Sequence, residues 1–178
     1  KALGNVTITG SSVTIAGAVI TEGSQTYNAD VQVASADLQL ATRGPATSGY
    51  DILFNNGITK SGAGDATMTV KAHRDIFVQS NIAASGGKLN VLLEADTENT
   101  GSSTSRDGAG FIQINKDITT NGGYLQLGTG ATTSIGGVST VVGGDVYLAG
   151  TTAQTFNTGG GALTVNGEVM LANSLGLT

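Results

Sequence analysis

Ile52-Leu-Phe54-Asn-Asn-Gly-Ile58-Thr-Lys-Ser-Gly62 is answered further along the chain by Ile76-Phe-Val78-Gln-Ser-Asn-Ile82-Ala-Ala-Ser-Gly86. Both stretches obey one template: apolar, any, apolar, three residues, apolar, three residues, Gly. The template returns at Ile112-Gln-Ile114-Asn-Lys-Asp-Ile118-Thr-Thr-Asn-Gly122 and stands upstream at Val13-Thr-Ile15-Ala-Gly-Ala-Val19-Ile-Thr-Glu-Gly23. A recurrence this specific is the signature of a repeat architecture. Within each copy the β-branched residues alternate with period two, the pattern of a half-buried strand.

A second strand pattern follows each Gly, at Ala66-Thr-Met68-Thr-Val70, Leu89-Asn-Val91-Leu-Leu93 and Leu125-Gln-Leu127. The unit Gly-Gly-x-apolar-x-apolar recurs at Gly143-Gly-Asp-Val146-Tyr-Leu148 and Gly160-Gly-Ala-Leu163-Thr-Val165, a spacing that predicts shorter coils toward the carboxyl end. The register is interrupted twice. Residues 42–49 are polar and rich in breakers, and residues 96–110 have no apolar pattern, so both are expected to be loops leaving the repeat. Gly is too frequent and the period too short for a helix of ten or more residues.

Three short strands joined by bends make one coil of about 24 residues, and residues one repeat apart then stack at about 4.8 Å. The expectation is therefore an all-β parallel β-helix, a solenoid. Val13, Ile52, Ile76 and Ile112 would form one inward ladder, and Val19, Ile58, Ile82 and Ile118 another. The Gly column at 23, 62, 86 and 122 suits a corner of positive φ. The column Ala16, Asn55, Gln79, Asn115 is mostly amide, and stacked amides can bond from coil to coil.

Composition agrees with this class. Of 178 residues, 39% are hydrophobic but only 4% aromatic, without Trp, so Val, Ile, Leu and Ala must form the core. There are 28 Gly and a single Pro, Pro45, and no strict Gly-X-Y period, which excludes collagen. A net charge of −5 without a basic run disfavours nucleic acid. No Cys is present, which removes disulfide staples, thiol catalysis and thiolate metal sites. No apolar run is long enough to span a membrane as a helix. The chain starts at Lys1 and still carries an apolar pattern around Val169, Leu171, Leu175 and Leu177. It is read as one β-helix segment, residues 1–178, of a longer repeat protein, with solenoid edges that neighbouring coils or copies cover end to end.

Gly23-Ser-Gln25-Thr-Tyr27-Asn-Ala-Asp-Val31-Gln-Val33 with Asp37-Leu38-Gln-Leu40, the Gly-Gly-x-Leu-x-Leu units, and Gln154-Thr-Phe156-Asn resemble the repeats of filamentous-haemagglutinin-type exoproteins. These are large bacterial adhesins, many of them exported by two-partner secretion. The resemblance covers most of the chain. It implies a right-handed parallel β-helix, an extracellular or cell-surface location, and service as an adhesin stalk or matrix fibre. The partners it implies are copies of the same chain and host, cell-surface or matrix glycans or proteins.

No residue pattern demands an enzyme. His73 is the only histidine and, with Arg74 and Asp75, reads as a polar turn before a strand rather than as a catalytic group. No phosphate-binding Gly loop or nucleophile elbow exists. Asp51 and Asp75 share one template position and would stack about 5 Å apart, a geometry open to lyase or hydrolase chemistry or to calcium, but the other copies carry Phe111 and Ser12 there. Two like charges in a solvated turn is the plainer reading. No catalytic residue, cofactor or metal is therefore assigned. Asp96, Glu98, Arg106 and Asp107, in the 96–110 insertion, are the candidate recognition residues, since loops on rigid scaffolds tend to carry recognition. The functional expectation is a non-enzymatic adhesin stalk. A carbohydrate-active β-helix enzyme and a self-assembling sheath or surface-layer subunit are the alternatives.

Overall fold

The computed structural model describes residues 3–44, 49–97, 110–135 and 138–171. Regular structure among the described residues is all strand, with no helix. The strands form two parallel sheets, one of eleven strands and one of six, and a separate two-stranded antiparallel hairpin.

The larger sheet is organised by its longest inner strand, Gln25–Val33. The first half of this strand pairs with Ile52–Phe54 and the second half with Ile58–Lys60. Two columns of short strands grow from these halves. Ile52–Phe54 pairs with Ile76–Val78, then Ile112–Ile114, Val146–Leu148 and Val169–Leu171. Ile58–Lys60 pairs with Ile82–Ala84, then Ile118–Thr119 and Phe156–Asn157. The smaller sheet runs Ala18–Thr21, Asp37–Thr42, Ala66–Lys71, Leu89–Glu94, Leu125–Leu127 and Leu163–Val165.

Alternation decides which side chains meet. Ile52, Ile76 and Ile112 are fully buried and lie in direct register, as do the buried Ile58, Ile82 and Ile118. In the smaller sheet Leu38, Met68, Val91 and Leu125 form one buried row, and Leu40, Val70, Leu93 and Leu127 another. Each such side chain contributes about 1.5–3 kcal/mol by leaving water. Tyr27 enters the core stacked on Phe54, ring centroids 5.2 Å apart. Its hydroxyl donates to Gln25 Oε1 at 2.8 Å, and Gln25 Nε2 donates to the Val19 and Ala41 carbonyls. Burial pushes the Tyr27 hydroxyl well above the ordinary 10.0, so it remains a donor.

The first template copy is out of register. Val13 pairs with Val31, above Ile58, and Val19 pairs with Leu40 in the smaller sheet. The strand Val6–Ile15 follows Gln25–Val33 along almost its whole length, with an irregularity between Thr9 and Ser12, and that long pairing overrides the template. Asn28 therefore stands in the amide column where Ala16 was expected. Asn55 Nδ2 donates to Asn28 Oδ1 at 2.6 Å, and Asn115 Nδ2 donates to Gln79 Oε1.

Toward the carboxyl end the spacing between the two Gly-Gly-x units is not a repeat length. The two Gly-Gly-x units are not equivalent: Val146 stacks on Ile112, whereas Leu163 stacks on Leu125 in the other sheet. The chain between Ile112 and Val146 is longer than one repeat because the hairpin Thr132–Ile135 with Val138–Val141 is inserted there. The sequence carried a signal for it, since Gly136-Gly137 between two alternating β-branched runs is a two-residue hairpin pattern.

The Gly column is not a row of positive-φ corners. Of Gly23, Gly62, Gly86 and Gly122, Gly122 alone has positive φ, 91°. Gly86 is required by close approach: a Cβ there would lie 2.2 Å from the Gly62 carbonyl oxygen, whereas a Cβ on Gly62 meets open space. Gly86→Ala should thus lower stability by about 1–3 kcal/mol in urea melts, through overpacking against backbone. Gly62→Ala should be neutral or stabilise by a few tenths, through reduced freedom of the unfolded chain. Equal effects at the two sites would contradict this packing.

Candidate recognition site

Past the strand Leu89–Glu94 the chain stays bonded to the preceding layer. Asp96 N–H donates to the Arg74 carbonyl at 2.8 Å, and Thr97 donates to the Ala72 carbonyl through both N–H (3.0 Å) and Oγ1 (2.8 Å). Asp96 has φ 48°, the left-handed bend that Asp tolerates better than most residues. Gly110 takes up the chain on the far side. A Cβ at Gly110 would fall 2.4 Å from the Arg74 oxygen and 2.6 Å from the Asp96 nitrogen. Residues 96 and 110 therefore touch, and the insertion departs from and returns to one point.

Of the four candidate recognition residues, Glu98, Arg106 and Asp107 lie outside the described residues. Asp96 is 1% exposed and sits at the foot of the insertion. Other ionisable groups gather there. His73 is buried, its backbone N–H donates to Thr42 Oγ1 at 2.7 Å, and its ring meets Tyr50 edge-on at 5.7 Å. Arg74 Nε lies 3.4 Å from Asp75 Oδ2. Glu94 is buried, 2.9 Å from Lys71 Nζ, and accepts the Thr129 hydroxyl at 2.6 Å. Sequence reading singled out His73, Arg74 and Asp75 but missed Glu94, which the strand alternation places opposite Lys71. Among the described residues no group of three or more His, Asp or Glu is placed to hold a metal ion.

Asp51 and Asp75 do stack, though not as two solvated charges. Asp51 Oδ1 accepts the Asp75 N–H at 3.1 Å, and Asp75 Oδ1 accepts the Phe111 N–H at 3.0 Å. Asp75 is buried. The same bond recurs from Asp30 to Gly57 N, Asp65 to Lys88 N, Asp117 to Thr155 N and Asp145 to Glu168 N, and from Asn5 and Asn90 to Ser24 N and Tyr124 N. In every case the side-chain oxygen takes an N–H from the next strand layer. Among the described residues six of the eight aspartates serve in this way, each with one carboxylate oxygen bound within the fold.

The outer face of the larger sheet carries a ridge that sequence reading also missed. Phe77, Phe111 and Tyr147 contact in sequence, with centroids 5.6 and 4.9 Å apart and planes inclined at 87° and 63°. The signal was that Phe77 and Tyr147 share the middle position of apolar-x-apolar units whose outer residues stack. Edge-to-face rings cover one another and present no flat platform.

No family model, curated protein or solved structure matches the chain.

Two variants test this geometry. Replacing residues 98–109 by two glycines should leave the β circular dichroism and the thermal midpoint close to the parent, because Thr97 and Gly110 both keep their places. Loss of cooperative melting would contradict the common point of departure and return. Asp75→Ala should cost about 1–3 kcal/mol by stranding the Phe111 N–H, and Asp75→Asn, which keeps Oδ1, much less. Equal losses in denaturant melts would show that charge, not the acceptor, matters at Asp75.

Proposed function

We propose that the chain is a segment of right-handed parallel β-helix, a solenoid whose coils have a common repeat length interrupted by insertions. That repeat is about 24 residues, the spacing of the sequence template. The segment serves as a rigid, non-enzymatic stalk or fibre of a bacterial cell-surface or secreted adhesin. The observation that carries this reading is the continuity of three parallel columns across both the 96–110 insertion and the hairpin. Such a body is stiff along the stacking direction, because bending it would break backbone ladders and inward rows together. The stacked amides and the aspartate bridges support the same mechanical role, since they occupy polar side chains that a catalytic groove would need free. The 96–110 insertion, with Asp96 at its foot and Glu98, Arg106 and Asp107 within it, is the recognition element of this reading.

The partners are neighbouring coils or copies stacked end to end. Leu163 and Val165, in the last strand of one sheet, and Val169 and Leu171, in the last strand of the other, are exposed. At the opposite end Leu3 and Ile20 are exposed. Parallel strands at both ends offer complementary edges, so pairing is head to tail and gives filaments. Sedimentation velocity should therefore show concentration-dependent association, with rods in electron micrographs. Val169→Lys with Leu171→Lys should suppress both. A monomer at every concentration, unaffected by these changes, would contradict end-to-end stacking.

A further inference from the structure

Lys60 occupies a buried, inward position whose equivalents hold small side chains. The strand Ile58–Lys60 reads buried, exposed, buried, and the equivalent template positions hold Ala84 and Thr120, both buried. Lys60 is 3% exposed. Its ammonium donates to the Gly62 carbonyl, and among the described residues no carboxylate stands within ion-pair distance of it, the ion pairs there being those of Lys71 and Arg74. An ammonium has three donors, of which this bond uses one. A charge buried without a counter-ion is costly, and an apolar residue of similar volume would relieve that cost.

Lys60 and Gly62 line a cleft of about 420 Å³, where the bend 61–65 follows the shorter bend 34–36. That volume is in the range of small-molecule sites. Its walls carry hydroxyl and amide groups, from Thr14, Gln32, Ser35 and Ser61, beside apolar side chains such as Val33 and Ala36. The Thr14 hydroxyl donates to Gln32 Oε1 at 3.1 Å, which fixes the amide at the cleft wall. Asp65 also lines the cleft, with Oδ1 bound to the Lys88 N–H at 2.9 Å. One cation and one carboxylate in a hydroxyl-rich wall favour a singly charged ligand over a compact dianion.

We propose that this cleft binds a polyhydroxy carboxylate, whose carboxylate pairs with the Lys60 ammonium while its hydroxyls meet Thr14, Gln32 and Ser61. The site is independent of the stalk reading, since it uses a bend and not the ends or the 96–110 insertion.

Titration of the ¹⁵N-labelled chain with D-gluconate, with sorbitol as its neutral counterpart and with inorganic phosphate tests the proposal. Gluconate should shift the Ser61 and Gly62 amides and bind at least about tenfold more tightly than sorbitol or phosphate, the gain expected of one charge-assisted pair. Lys60→Met should remove that preference while raising the thermal midpoint. Asp65→Asn keeps the Oδ1 acceptor for Lys88 and removes the like charge, so it should tighten gluconate binding by about two- to tenfold. Equal binding of gluconate and sorbitol, phosphate binding as tight as gluconate, or a preference that survives Lys60→Met would overturn the proposal. Should Lys60→Met fail to fold, an unchanged gluconate affinity in Asp65→Asn would overturn it equally.

Discussion

Where a strand ends at a bend, its parallel ladder also ends, and the N–H groups of the next layer lose their partners. Of the N–H groups at such bends, those of Asp75, Phe111 and Tyr124 are half-buried, and each would cost about 1–3 kcal/mol if left without a partner. Here the bends are bridged by Asp and Asn oxygens that each take one such N–H from the following layer, as Asp51 does for Asp75 and Asp75 for Phe111. The bridge fixes the relative height of two layers at the place where strand pairing no longer does. The inward rows of Ile, Val and Leu supply most of the stabilisation, but they are tolerant of sliding in steps of two. The bridges are not, because an oxygen moved by two residues no longer reaches its N–H.

That division of labour explains why the columns survive two large excursions. Ile76 and Ile112 are separated by the whole 96–110 insertion, yet they are paired as directly as Ile52 and Ile76. The insertion is pinned at its foot by Asp96 and Thr97 bonding to the preceding layer, and Gly110 permits the returning chain to touch the departing one. A scaffold that closes the root of a loop in this way leaves the loop free to vary in sequence.

Most of the larger sheet was legible in the amino-acid sequence. The copies beginning at Ile52, Ile76 and Ile112 align in space as they align in sequence, because their bends have equal lengths and each begins with an amide. The first copy misled for a physical reason. Period-two alternation repeats its apolar pattern every two residues, so Val13-x-Ile15 fits more than one register, and the choice was made by the long uninterrupted strand Gln25–Val33. Gly86 and Gly122 were legible as constrained positions, but the cause at Gly86 was not, since close approach of two backbones leaves no mark distinct from positive φ. At the candidate site, the ionisable groups were only half visible. Glu94 pairs with Lys71 on the neighbouring strand of the smaller sheet, a contact distant in sequence that no local pattern encodes. The hairpin was within reach through Gly136-Gly137 and was obscured by the resemblance between two Gly-Gly units that belong to different sheets.

The register across the 96–110 insertion is the claim on which the account stands, and the lack of native cysteine permits a direct measurement of it. Phe77 and Gln113 are paired on the outer face of the larger sheet. Phe77→Cys with Gln113→Cys places two thiols on adjacent parallel strands, within the Cα separation of about 4.4–6.8 Å that a disulfide spans. Under mild oxidation this pair should cross-link rapidly and almost completely within the monomer. Phe77→Cys with Asn115→Cys, on the same face but two residues out of register, should cross-link far more slowly. Equal rates, or faster closure of the second pair, would contradict the stacking of Ile76 on Ile112 and with it the columns from which everything else is argued.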